Sequence, residues 1–174
     1  MSQGSINWPI LIGGLLSTGA LVVVLGSGFG KDPRAMEGTL KEAVNFTLPT
    51  LEGDEVTLSA LRGQPVVLNF WSTWCQPCKI EHPYILQAAR THHERGAVFV
   101  GVLYDDEPAN ARRELQRIGQ AFPTVYDPSQ RVSVDYGVTG VPETFIIDAE
   151  GRIAERFVGP VGPGQIEQVL KELL

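Results

Sequence analysis

The sequence predicts an α/β domain with a mixed central sheet, preceded by a single apolar span. Three observations predict it. Short runs of β-formers alternate with helical stretches, the chain closes on a hairpin and a last helix, and residues 1–30 carry no charged side chain. The 174 residues are 43% hydrophobic and 20% charged, which suits one globular domain plus an appendage. A net charge of −6, with basic residues scattered singly apart from Arg112-Arg113, provides no basic face for a phosphate backbone and argues against nucleic acid.

The appendage comes first. Trp8 to Phe29 reads WPILIGGLLSTGALVVVLGSGF, close to the roughly 20 apolar residues that cross a bilayer core as a helix, and a helix satisfies its own backbone there. Trp8 at one end and Phe29-Gly30-Lys31 at the other suit the two interfaces. No Lys or Arg precedes the run, so it does not read as a cleaved signal peptide. The expected organisation is a tail over 1–7, a transmembrane anchor over 8–30, a polar linker over 31–43 and the folded domain over 44–174. Lys31 and Arg34 follow the span, so charge bias does not itself place the domain outside the cytoplasm.

Within the domain, Glu52-Gly53-Asp54 marks a turn between short β-prone pieces, and Leu58 to Arg62 reads as a helical turn closed by Gly63. Val66 to Trp71 (VVLNFW) and Val98 to Leu103 (VFVGVL) are apolar runs expected as buried strands. Cys75 to Arg95 is helical in pattern, with Pro83 inside it expected to kink it. Glu107 to Ile118 is amphipathic, with Leu115 and Ile118 opposite Arg112, Arg113, Glu114 and Arg117. A short strand near Val125 and a short helix over Gln130 to Tyr136 follow. The chain ends with strands over Thr144 to Asp148 and Arg152 to Val158, turned at Ala149-Glu150-Gly151, and a helix from Gly164 to Leu174.

The chemistry points to Cys75-Gln76-Pro77-Cys78, which holds the only two cysteines, at a strand-to-helix junction. Residues three apart share a helix face, so the sulfurs can meet. The positive end of the helix dipole and its free N–H groups favour a thiolate at Cys75, the species that attacks disulfides. Cys78, one turn in and expected to be the more shielded, would resolve the mixed disulfide. Structural zinc needs about four ligands, and no third cysteine exists. His82, four residues past Cys78, leaves open a copper site in a carrier protein. A purely structural bridge over so short a loop would gain little.

WSTWCQPCKIEHPYI (Trp71 to Ile85) and YGVTGVPETFIID (Tyr136 to Asp148) together resemble the thioredoxin superfamily. Within it they are most similar to its membrane-anchored periplasmic thiol–disulfide interchange proteins of cytochrome c maturation, the DsbE/CcmG type with its TlpA/ResA relatives. The likeness covers residues 40 to 174 and implies a thioredoxin-like fold. It implies Cys75 and Cys78 as the catalytic pair, with Trp74 beside the nucleophile, and Val141-Pro142 as a cis-proline loop that pairs with substrate backbone; from the residues alone Pro142 reads only as a turn. It matches Glu81 to an acid that exchanges a proton with Cys78, against the plain reading of a solvated helix Glu. Glu143 is matched to a second acid on the substrate-binding rim, again against a bland alternative.

The resemblance further implies a protein-disulfide reductase whose only redox group is its own cysteine pair. Its substrate would be the CxxCH cysteines of an apocytochrome c, and its electrons would come from a membrane thiol reductase. It would sit in the cytoplasmic membrane with the domain facing the periplasm or exterior. A broader TlpA-like reductase is the alternative within the class, and a non-enzymatic copper carrier using Cys75, Cys78 and His82 the one outside it. One departure stands out: six residues before Cys75, where thioredoxin carries a buried acid, this chain has Asn69, so proton handling falls to Glu81 or water. The stretch from Phe46 to Trp71 is also similar to peroxiredoxins, yet Ser72 occupies the place of their threonine. Asn45-Phe46-Thr47 reads as a chance glycosylation match, His92-His93 as surface, and Asp105-Asp106 as a loop or cap.

Overall fold

The computed structural model describes residues 41–174. The expected tail, the anchor over 8–30 and the linker as far as residue 40 lie outside the described residues. Among those described, no helix is long and apolar enough to cross a membrane.

The sheet is built from the most apolar runs. β3 (Val66–Trp71) is buried at every position, and β4 (Val98–Leu103) lies parallel to it in register from Val66↔Val98 to Trp71↔Leu103. β5 (Thr124–Tyr126) extends the sheet in parallel beyond β4, while β6 (Glu143–Ile147) runs antiparallel along the other side of β3, followed by antiparallel β7 (Ile153–Val158). The order β5-β4-β3-β6-β7 is the mixed sheet expected. A separate two-stranded ribbon of β1 (Thr47–Pro49) and β2 (Glu55–Thr57) precedes it and leads into a 3₁₀ turn over Leu58–Leu61.

Among the described residues four α-helices complete the domain: α1 (Gln76–His92), α2 (Pro108–Ile118), α3 (Arg131–Asp135) and α4 (Gln165–Leu173). The strand period of two sends alternate side chains to opposite faces. Leu68, Phe70, Val100, Val102, Phe145 and Ile147 therefore build one core with Val132 and Tyr136, and Val67, Phe99 and Ile146 build another with α1 and α4. A third cluster joins Trp71, Cys75, Cys78 and Leu103 to Ala111 and Leu115 of α2. Α-helix α1 continues as a helix through Pro83 and gives way to 3₁₀ geometry only at His93–Arg95.

Three expectations need correcting. Lys41 to Ala43, assigned to the linker, belong to the fold. Ile153 N donates to Lys41 O, Ala43 N donates to Gly151 O, and Ala43 is buried, because the β6–β7 turn leaves backbone groups that this segment can pair. β6 begins at Glu143 rather than Thr144, since Glu143 already pairs with Phe70. His92, read as surface, is 2% exposed, whereas its neighbour His93 is exposed. Inward-facing helix positions recur every third or fourth residue, and His92 falls on the series of Ile85, Ala88 and Ala89.

Gly101 sits where the sheet leaves little room for a side chain. A Cβ there would lie 2.7 Å from Thr124 Oγ1 and 3.0 Å from Trp71 Nε1, and Thr124 is a buried neighbour whose β-branched side chain is stiff. Gly101→Ala should cost about 1–3 kcal/mol through overpacking. A urea midpoint unchanged from wild type would show that Thr124 can give way.

Candidate active site

The reactive pair sits where β3 hands over to α1. Cys75 is the N-cap of the helix, in extended geometry, and Pro77 takes an early position where its missing N–H costs nothing. The next free amide, that of Cys78, donates to Cys75 Sγ at 3.1 Å. A helix N-terminus thus directs both an N–H and its dipole at this sulfur, which favours its anionic form. The two cysteines form a disulfide with an S–S distance of 2.06 Å. Cys78 was expected to be the more shielded, but both residues are buried, at 3% for Cys75 and 4% for Cys78. The cover on Cys75 comes from the loop opposite, whose Val141 carbonyl oxygen lies 3.4 Å from its sulfur.

The turn before Cys75 is tied down on its far side. Ser72 is fully buried, and its hydroxyl donates to the Tyr104 carbonyl. Thr73 donates from both its amide and its hydroxyl to Asp106 Oδ2, at 2.8 and 2.6 Å, and Asp106 Oδ1 accepts from Glu107 N and Asn110 Nδ2 at the start of α2. These donors outweigh the partial burial of Asp106 and hold its carboxyl below the usual range. Trp74 donates its indole N–H to Asp105 O at 3.0 Å yet remains 58% exposed beside the pair.

Glu81 lies on the inward face of α1 with Cys78 and is 1% exposed. Its Oε1 accepts from Asn69 Nδ2 at 2.9 Å and its Oε2 from Val161 N at 2.8 Å. Asn69 also donates to Thr144 Oγ1 at 3.0 Å. Asn69 therefore does not simply leave a buried acid missing: its amide supports an acid supplied from the helix. Burial raises the Glu81 pKa to about 7, against the opposing pull of the Val161 amide and the Asn69 side chain. A carboxyl poised near neutrality, one helical turn from Cys78, can either give or take a proton.

The Val141–Pro142 peptide is cis, as the resemblance implies. Glu143 does not belong to a substrate-facing rim. It is 1% exposed, on the face of the sheet that carries Phe70 and Phe145, and it is ion-paired to Arg156. The strand alternation is the reason, because Thr144, not Glu143, faces Asn69 and the Glu81 layer. His82 is also engaged, with Nε2 2.8 Å from Gly119 O, and burial lowers its pKa. Among the described residues no group of three or more His, Cys, Asp or Glu side chains is arranged to hold a metal ion.

The sequence did not reveal Val161, Asp106 or Arg156 as parts of this surround. Val161 acts through its backbone, which no side-chain identity betrays. Asp106 reads from the sequence only as a loop or cap residue, and Arg156 only as one position of the strand over Arg152 to Val158.

Comparison with known proteins agrees with the geometry. Residues 39–156 match the family described as AhpC/TSA. The chain is 34% identical over 159 residues to the thiol-disulfide oxidoreductase ResA of Bacillus anthracis, covering 91% of each chain. It is 39% identical over 147 residues to the thiol:disulfide interchange protein DsbE of Allochromatium vinosum, covering 82% of this chain and 80% of that one. A crystal structure of a thiol:disulfide interchange protein of the thioredoxin family from Chlorobium tepidum superposes with a TM-score of 0.71 at 28% identity, covering 78% of this chain and 97% of that one.

The raised Glu81 pKa has a consequence for stability. The folded protein holds this proton up to about pH 7, whereas the unfolded chain releases it near 4.5, the ordinary value for a glutamate. The stability that Glu81 contributes is thus fully present below about pH 4.5 and is lost as pH rises through 7. Between those limits wild type should lose on the order of 3 kcal/mol relative to Glu81→Gln. Urea unfolding of both proteins at acidic and at mildly alkaline pH measures the difference, and a difference independent of pH would show that the carboxyl titrates normally.

Proposed function

The chain belongs to the AhpC/TSA family and is a thiol–disulfide oxidoreductase of the DsbE/ResA type, and from that premise we propose that it reduces the CxxCH disulfide of an apocytochrome c. The carrying observation is the Cys78 amide directed at Cys75 Sγ across 3.1 Å, which marks Cys75 as the attacking sulfur. The Cys75 thiolate attacks one sulfur of the substrate disulfide, forms a mixed disulfide and releases the other substrate sulfur as a thiolate. Glu81 takes the proton of Cys78. The Cys78 thiolate then attacks Cys75 Sγ, closing the Cys75–Cys78 disulfide and freeing the second substrate sulfur. Two electrons pass to the substrate, and a membrane thiol reductase restores the dithiol.

Trp74, Val141 and Pro142 form the substrate contact in this reading. The carbonyl of Val141 accepts a backbone N–H from an extended substrate segment, as a strand added to an edge would supply. The apolar run from Trp8 to Phe29 anchors the chain in the cytoplasmic membrane, with the domain outside the cytoplasm. A cysteine complement restricted to one reactive pair suits an oxidising compartment.

Cys78→Ser should leave Cys75 able to attack but unable to be released. Incubated with an oxidised CxxCH peptide, it should accumulate a mixed disulfide visible as a mass adduct cleared by dithiothreitol, while Cys75→Ser should form none. Equal trapping of any exposed disulfide would favour the broader TlpA-like reductase. No adduct with any disulfide would overturn the exchange mechanism itself.

A further inference from the structure

We infer that Arg156 is a positioning residue for disulfide exchange: it holds both ends of the loop that presents Val141 to Cys75. The inference rests on the reading that this loop pairs with substrate backbone. Arg156 lies on β7 opposite Phe145, so its side chain points to the face that also carries Glu143. Glu143 pairs with Val158, two residues further along β7, which makes Arg156 and Glu143 diagonal cross-strand neighbours within reach of a long side chain.

The guanidinium uses that reach in three directions. Its Nε donates to Glu143 Oε1 at 2.6 Å, and an Nη nitrogen contacts the same carboxylate. Its Nη2 donates to the Gly137 carbonyl at 3.0 Å. Its Cζ sits over the Phe145 ring, 5.2 Å from the centroid. Gly137 enters the loop and Glu143 leaves it directly after Pro142, so one side chain spans the segment Gly137–Pro142 from behind. In front of that segment, Val141 O stands 3.4 Å from Cys75 Sγ.

The fork geometry is what makes the clamp. A guanidinium presents several N–H groups in fixed directions, so it can serve a carboxylate and a carbonyl together, which an ammonium on a flexible stem does less well. A loop held at both ends meets an extended substrate without first being ordered, and the benefit appears as tighter binding rather than faster chemistry. A disulfide with no backbone to pair draws nothing from this clamp.

The test compares reduced wild type, Arg156→Met, Arg156→Lys and the double variant Glu143→Gln/Arg156→Met in stopped-flow reactions. The substrates are an oxidised CxxCH peptide, the same peptide N-methylated at the residues flanking its first cysteine, and hydroxyethyl disulfide. In both Met variants the half-saturating peptide concentration should rise about tenfold with the limiting rate held within about twofold. Reaction with hydroxyethyl disulfide should be unchanged, and Arg156→Lys should fall between. N-methylation should weaken binding to wild type and add little in Arg156→Met, because the two changes remove the same interaction. The double variant leaves no stranded buried charge, so it carries the comparison if Arg156→Met does not fold, and Arg156→Lys carries it if neither does. If N-methylation weakens binding to wild type but the Arg156 variants bind the peptide normally, the clamp is wrong and the loop reading stands. If N-methylation has no effect on wild type, the loop reading falls and the clamp with it. Equal losses with peptide and hydroxyethyl disulfide would reduce Arg156 to a scaffold role and overturn the proposal.

Discussion

The N–H of Cys78 reaches the sulfur of Cys75 because a helix leaves its first amides without partners, and Pro77 removes the competing donor just before it. Much of the domain serves to keep that helix start in place. β3 delivers the chain to Trp71 in register with Leu103, Ser72 and Thr73 then bind Tyr104 and Asp106 beyond the end of β4, and the chain has no freedom left until Cys75 turns into α1. Asp106 links this turn to the start of α2 through its second oxygen, so two helix starts and the end of a strand share one carboxylate.

Below that surface, Glu81 brings a charge problem into the core. A carboxylate on the buried face of a helix has lost its water, and two donated hydrogen bonds only partly replace it. The consequence is a proton held up to about pH 7, in the range where a thiol must be activated and a leaving sulfur neutralised. Two sulfurs and one buried acid, all on α1 or at its cap, are the groups to which the proposed exchange assigns the parts of nucleophile, resolver and proton reservoir.

The parts of the fold with strong local signatures were legible from the chain. VVLNFW and VFVGVL gave β3 and β4 to the residue, because a run of buried β-formers ends where the chemistry changes. Cys75 and Cys78 were legible through helix spacing, and Glu81 through the family resemblance. What escaped depends on partners distant in sequence. Lys41 to Ala43 look like linker until the turn at Gly151 offers them backbone groups, and His92 looks like a polar helix end until the helix is seen to continue its buried face that far. Glu143 follows the loop whose Val141 carbonyl stands beside Cys75, yet it is buried on the other side of the strand, and adjacency along a strand does not carry over to adjacency in space.

That last point reaches beyond one residue. In the pair Glu143-Thr144 a pleated backbone sends the acid into an aromatic layer where a guanidinium waits, and the hydroxyl into the opposite layer beside Asn69 and Glu81. The order of the two letters is thus fixed by geometry more firmly than their identity. Written Thr-Glu, the same composition would set a second carboxylate against Glu81 and leave Arg156 facing an alcohol, so the motif following the proline behaves as a directional label that tells the sheet which side is which.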